Sequence, residues 1–394
     1  MVWKSTFAAL LLAFPWSLAA QSLAAQETPA EGSTQGRVTD DGSVAESPVT
    51  DSPSETMRYL IDTGPLRIRD QFQFGMGFLA FDPVSAVVLE KGEWQVDVIS
   101  TLTNAWAQSN DVEAFLDLRG SRQPLPLSEL QELDAVDGKQ NIAFIDGELV
   151  RSAIAIRRGL GKGVQLELVV PILSFGGGFF DSTIEDFHDT FSFGQMGRTG
   201  VAKNDFRVYV AGENGSFYLD EDPGTQLGDV VIGAKFRLRE PTGDARYHLA
   251  LEAVAELPAG NARRLTSNGE VDLGVQFLVT RYFDHGCLHL SAGLLALGEW
   301  REVGIDRQVL PSVMAAWEQG LGERTSMLAQ VTFSATPFDD LAIEALSASS
   351  AQVTFGFKRV VYGNKVLFAG ITENLLSFDS TSDIGLHLGL TATF

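Results

Sequence analysis

The chain has 394 residues, with 51 Asp and Glu against 29 Lys and Arg, for a formal charge of −22. That balance excludes a nucleic-acid partner, whose phosphates call for a basic face, and suits a solvated acidic surface instead. The single cysteine, Cys287, can form no intramolecular disulfide, so the fold must hold without one, and Cys287 is read as structural.

Taken from the N-terminus, residues 1–25 have the layout of a secretory signal peptide. Lys4 precedes an apolar run from Phe7 to Phe14, and the small-x-small triplets Ser17-Leu18-Ala19 and Ser22-Leu23-Ala24 follow, with the cut open between them. Residues 26–57 are rich in Ser, Thr, Pro, Gly and acid, and seven acidic residues oppose the single Arg37. A stretch this poor in apolar side chains cannot offset its ordering entropy, which predicts a disordered linker. Residues 58–93 are different. Arg67, Arg69 and Asp70 are followed by Phe72, Phe74, Phe78, Leu79 and Phe81, too apolar for a linker and too irregular for a membrane strand. This segment is expected to be a periplasmic lid or a partial plug at a barrel mouth.

After the leader, no apolar run approaches the roughly 20 residues of a spanning helix. A chain that crosses a membrane without helices must do so as a closed barrel, the only other structure that satisfies every backbone group in hydrocarbon. Residues 94–394 carry that pattern. Trp94, Val96, Val98 and Leu102 share one parity, with Gln95, Asp97, Thr101 and Thr103 on the other. The alternation returns at Val164–Ile172, Val230–Leu238, Leu249–Leu257 and Val271–Val279. Charges on the polar parity belong in a lumen, because Lys or Arg facing lipid costs about 2–4 kcal/mol near the midplane. The predicted lumen row is Asp97, Arg151, Arg157, Glu167, Lys235, Arg237, Glu252, Asp272 and Lys358.

Connector lengths add an independent signal, because outer-membrane barrels pair short periplasmic turns with long outer loops. Short links at 159–163, 240–246, 284–286, 319–324 and 362–364 alternate with long ones at 107–147, 174–228, 258–269, 299–307, 336–350 and 375–383. The fold class is therefore all-β, a transmembrane antiparallel barrel of about twelve strands, both ends on one side. This count makes Phe206–Ala211 and Ser216–Leu219 a hairpin inside a long loop; counting them as spans gives about fourteen. Trp94, Trp106, Phe283, Trp300, Trp317 and Phe333 fall near strand ends, as interfacial aromatic girdles do.

The last predicted strand, Ile384–Phe394, ends on an aromatic residue. His387, Gly389 and Phe394 have the look of a C-terminal signal for the outer-membrane barrel assembly machinery. In the longest loop, Gly176-Gly177-Gly178 precedes Phe180, Ile184, Phe187 and Phe191 at helical spacing, with acids and His188 between them. Such a run predicts a hinge and a short amphipathic helix. That helix either folds inward as a constriction, with Phe180, Phe187 and His188 at the lumen, or caps the barrel or lies at the membrane surface. His188 and the cluster Asp220-Glu221-Asp222 lack the spacing of a metal site, and solvated charge is expected. No Gly-x-Ser-x-Gly elbow or other hydrolase signature stands out. No cofactor, metal or enzymatic activity is expected.

Several segments resemble an uncharacterised bacterial family of outer-membrane proteins, defined only as a domain of unknown function. They are Gly64-Pro65-Leu66-Arg67-Ile68-Arg69-Asp70-Gln71, then Gly77 to Pro83, Gly176 to Asp181 with Phe187-His188-Asp189, and Asp383 to Leu390. The resemblance runs from about Gly64 to Phe394 and implies a barrel but no activity. The functional expectation is an exported outer-membrane pore or transport channel for small solutes or amphiphiles. Its partners would be outer-membrane lipid, the assembly machinery and an unknown solute. A non-conducting structural barrel and an outer-membrane hydrolase are the alternatives.

Overall fold

The computed structural model describes residues 55–137, 141–192, 194–212, 215–242, 246–375 and 382–394. The expected signal peptide and nearly all of the expected linker lie outside the described residues. Helix α1 (Glu55–Asp62) begins three residues before the expected linker ends, because Met57 already packs, with Leu60 and Ile61, on Cys287, Val360 and Val366.

Among the described residues fifteen strands form one antiparallel sheet. They are β1 (Trp94–Gln108), β2 (Ile142–Gly161), β3 (Val164–Gly176), β4 (Arg207–Gly212), β5 (Gly215–Leu219), β6 (Thr225–Leu227), β7 (Val230–Arg239), β8 (Tyr247–Leu257), β9 (Asp272–Tyr282), β10 (Gly286–Leu297), β11 (Gln308–Gly320), β12 (Thr325–Ser334), β13 (Ser350–Tyr362), β14 (Lys365–Asn374) and β15 (Ile384–Thr393). Twelve of them close a transmembrane barrel, in which β15 pairs back onto β1 from Gln95↔Thr393 to Asn104↔Ile384. Closure leaves no sheet edge to lipid, the condition for a spanning sheet. The β4–β5 hairpin lies outside this ring, as the loop-length argument required. It extends the wall above the membrane by pairing with residues 142–146 of β2. Gly147 marks the switch from β3 to β4 as neighbour: its φ is +152°, and a side chain there would meet Phe206.

The faces follow the alternation. Every barrel strand exposes a large apolar side chain: Val98, Ile154, Leu168, Ile232, Leu251, Val275, Leu290, Val313, Val331, Phe357, Ile371 and Leu388. Their opposite-parity neighbours, including Asp97, Arg151, Gln165, Lys235, Glu252, Gln276, His289, Glu318, Gln330, Lys358, Thr372 and His387, are buried inside. Among the described residues no helix is long and apolar enough to cross a membrane.

The loop end carries α2 (Asn110–Leu118), α3 (Leu127–Asp137) and α4 (Asp181–Phe191). Two members of the expected aromatic girdle are corrected here. Trp106 is buried edge-to-face on Phe144 at 5.3 Å and donates its indole N–H to Met196 O at 2.9 Å. Trp300 is fully buried, 5.5 Å from Phe74 and 5.4 Å from Phe78, and donates to Ala262 O. Both indoles find acceptors in the loops, and aromatic partners on β2 and on the segment before β1, which strand-end position alone could not reveal. Trp94 and Trp317 do remain exposed at strand ends.

Candidate functional site: the lumen and the N-terminal insert

The chain enters the barrel at the turn end through α1. From Gly64 it rises along the lumen, reverses near Phe74, and descends to Gly92 before starting β1. At the turn end Lys358 Nζ donates to Leu60 O and Gly64 O, both at 2.7 Å, and pairs with Glu318 at 3.0 Å. Halfway up, the Arg67 guanidinium grips both oxygens of Glu167, at 2.6 and 2.7 Å, and reaches Asp82 on the descending limb at 3.0 Å. This two-pronged pairing is the strongest geometry available to a buried guanidinium. At the loop end the reversal packs Phe72, Phe74 and Phe78 into a cluster with Trp300 and Phe338.

The descending limb is held by its backbone. Leu79 N donates to Asp272 at 2.9 Å, and Lys235 Nζ donates to Ser85 O at 2.8 Å. Ala86 N donates to Thr280 Oγ1 at 2.9 Å and Leu89 N to Gln165 at 3.0 Å. An irregular backbone inside a barrel must find such partners, because its own groups form no ladder.

Each predicted lumen residue can now be placed. Asp97 pairs with Arg157 and accepts a hydrogen bond from Thr391. Glu252 accepts from Gln276 at 2.6 Å and lies 3.9 Å from Lys235. Arg151 is buried and lines a small cavity with Arg67, Arg69 and Asp82 of the insert. Arg237 sits at the turn-end mouth, paired with Glu90 at 2.8 Å. The structure therefore brings this row together largely around the insert instead of around an open water column.

The wall also carries features that composition hid. Gly274 and Gly293 face inward beneath Phe81, where a Cβ on either would sit 2.8 Å from the ring. Gly356 and Gly370, directly paired across β13 and β14, make the same kind of seat for Leu66. A polar network of Thr280, His289, Glu318 and Ser326 supports Lys358 and the descending limb. A signal was present for the glycines: small residues on the polar parity of long strands mark a close approach.

The long loop differs in part from the expected constriction. The Gly run does lead into α4, but the helix turns Asp181 and Glu185 inward. Asp181 lies 3.7 Å from Arg198, and Glu185 pairs with Arg122 at 2.7 Å and Lys203 at 2.6 Å. Phe179, Phe187 and Phe191 are 63%, 44% and 52% exposed, so they are solvent-facing side chains of the loop. Phe180 is partly buried at the helix start, where the Glu148 carboxylate accepts from the N–H groups of Phe179 and Phe180. Gly177 closes against Asn204, and Gly178, at φ +69°, leaves room for Glu148, while Gly176 ends β3. His188 lies on the loop surface with Nδ1 2.9 Å from Gly194 O, and partial burial pushes its pKa below the usual imidazole range. Among the described residues no group of three or more His, Cys, Asp and Glu is placed to hold a metal.

In the C-terminal strand, His387 points inward between Thr372 Oγ1 at 2.7 Å and Thr101 Oγ1 at 3.0 Å. Gly389 leaves room for the Phe368 ring, and Phe394 is exposed with its backbone paired to Trp94. Two of the three residues therefore have packing roles.

Fold and site together define a twelve-stranded membrane barrel threaded by its own N-terminal segment. The chain belongs to a family of proteins of unknown function, DUF3187, which matches residues 135–394. A search of curated proteins gives no match. Among solved structures the chain is similar to an outer-membrane channel of Pseudomonas putida F1, with TM-score 0.49, 12% identity, and coverage of 80% of this chain and 100% of that one. It is also similar to the P. putida toluene transporter TodX (TM-score 0.35, 8% identity, 77% and 89% covered). A third is an anion-selective porin of Comamonas acidovorans (TM-score 0.28, 11% identity, 76% and 100% covered). Likenesses this distant say nothing of what the barrel handles.

Proposed function

We propose that the chain is an outer-membrane transport barrel for small amphiphiles, gated by the displacement of residues 55–93 from its lumen. One observation carries this reading: along most of its length the insert is held by polar contacts. Arg67, Lys235, Thr280, Gln165 and Asp272 all bond to or from it. Polar contacts can be exchanged for water when a segment leaves, at a net cost of about 0.5–1.5 kcal/mol per ordinary hydrogen bond. A barrel filled only for support would do as well with apolar side chains, since buried ion pairs add little net stability. On this reading the turn end faces the periplasm, lipid surrounds the exposed apolar belt, and the assembly machinery reads β15.

The test is a tether. Ser85 Oγ and Thr280 Oγ1 lie 3.2 Å apart, so Ser85→Cys with Thr280→Cys, in a Cys287→Ala background, would pin the insert to β9. Planar-bilayer conductance should be absent in the oxidised protein and return on reduction. Equal conductance in both forms would sink the gate.

The aromatic clamp at the loop end favours a second reading, a permanently closed structural barrel. Phe74 and Trp300 are fully buried there, and aromatic pairs add about 0.5–1.5 kcal/mol each beyond their area. That reading predicts no conductance in either redox form.

A further inference from the structure

The outward face of the barrel strands carries an asymmetry that the overall charge of −22 conceals. Among the described residues, the Lys and Arg on that face all lie at the turn end: Arg158, Arg239, Arg281, Arg359 and Lys365. Each is exposed and continues the apolar belt. Arg281 follows Phe277 and Val279 on the same parity, and Arg239 pairs across the sheet with Leu249. No Asp or Glu occupies an outward position in these turn-end halves.

Most of these cations lie against an aromatic ring. Arg158 sits over Trp94 at 4.7 Å, Arg239 over Tyr247 at 4.4 Å, Arg281 over Phe283 at 5.1 Å and Lys365 over Tyr362 at 5.5 Å. The acids of the adjoining turns are engaged elsewhere, Glu90 and Glu240 by Arg237 and Asp284 by Arg246. The row is densest on β7–β11. Tyr247, under Arg239, is paired across the sheet with Arg281, and Phe283, under Arg281, lies 5.2 Å from Trp317. Arg239 and Arg281 thus stand two strands apart, about 10 Å at the backbone, with no carboxylate partner among the described residues. A ring holds a guanidinium by its face and leaves the in-plane N–H groups for an acceptor. Arg239 gives one to the Tyr247 hydroxyl; the rest present the fork that matches phosphate oxygens.

We propose that the turn-end exterior binds anionic glycerophospholipid, with a headgroup seat on β7–β9 in which Arg239 and Arg281 hold the phosphate on either side of Tyr247. The acyl chains run along the apolar belt over Phe236, Leu251 and Phe277. Position selects a lipid over a soluble anion, because these cations stand where the strands leave hydrocarbon for the headgroup layer. Charge selects an anionic lipid over a zwitterionic one, whose own ammonium offsets its phosphate. The inference goes beyond the transport reading and is independent of it, since a non-conducting barrel would bind the same lipid.

The test reads Trp317 fluorescence in protein purified from membranes, carrying Trp94→Phe and reconstituted in phosphatidylcholine vesicles. A minor fraction of the lipid, either phosphatidylglycerol or phosphatidylcholine, is brominated in its acyl chains and quenches the indole on contact. Trp106 and Trp300, buried at the loop end, add a constant background. Brominated phosphatidylglycerol should be preferred by roughly fivefold, and high salt should shrink that preference. Arg239→Gln with Arg281→Gln should reduce it to within about twofold, while the paired Lys substitutions should keep most of it. Heat-modifiable gel mobility checks that each variant forms the barrel, and Arg281→Gln alone serves if the double variant fails to insert. Arg158→Gln, six strands around the ring from Trp317, should change nothing. Equal quenching by the two lipids, or a preference that survives loss of both guanidiniums, overturns the seat. An equal loss from Arg158→Gln would mark a diffuse charge effect and overturn it as well.

Discussion

Arg67 is the residue on which the position of the insert most depends. On the ascending limb, it is paired at once with Glu167 of the β3 wall and with Asp82 of the descending limb. Removing one partner of a buried pair costs about 3–5 kcal/mol, because the other charge is stranded. Glu167→Gln is therefore expected to loosen residues 63–85 and raise their cleavage rate by an added protease at least tenfold. Arg67→Met combined with Glu167→Met should restore much of the protection; equal cleavage in the single and double variants would contradict this account.

Asp62 gives a pH dependence at the same scale, outside the spanning strands. Burial, against the opposing pull of the Tyr282 hydroxyl and Arg58, lifts its pKa from 3.8 to about 6. The folded chain thus holds a proton that the undocked chain releases. Docking of α1 should weaken as pH rises from about 4 to about 6, with the full penalty present above that window. The Asp62 side chain is still 30% exposed, so the effect is on the order of 1 kcal/mol. Asp62→Asn should flatten the pH profile of protease protection and tighten docking at pH 7.5.

At the scale of elements, α4 separates what a helix buries from what it displays. Glu185 ties Arg122 and Lys203 to the helix, whereas Phe187 and Phe191 stack on each other at 4.7 Å on its solvent-facing side. Phe187→Ser should cost about 0.5–1.5 kcal/mol, the size of one aromatic pair, and leave the loop cluster fastened. Glu185→Ala should unfasten the loop cluster and expose 177–203 to surface proteolysis on intact cells. The last strand can be dissected the same way. Deleting Phe394 removes its two backbone bonds to Trp94 and the proposed assembly signal while leaving His387 and Gly389 in the lumen. It should impair membrane insertion, scored by heat-modifiable gel mobility. Full insertion of the deletion variant would leave His387 and Gly389 with packing roles alone.

For the whole molecule, the barrel was legible in the sequence because alternation is local. Successive side chains on a strand face opposite ways whatever lies around them, so Val98 and Asp97 were assigned to opposite faces by position alone. Loop lengths then separated the β4–β5 hairpin from the spans and set the count at twelve. Neither step needs a distant contact. The contents of the lumen do. Arg67 meets Glu167 a hundred residues on, and Lys358 meets Leu60 across 298, pairings that exist only after β15 has closed on β1. Amphipathicity announced two faces on α4 but not that Asp181 and Glu185 would be buried, since their Arg and Lys partners come from outside the helix. Chain-local periodicity thus determined strands, faces and count. Tertiary closure decided what fills the barrel, because the partners of a buried charge are chosen by space and not by sequence separation.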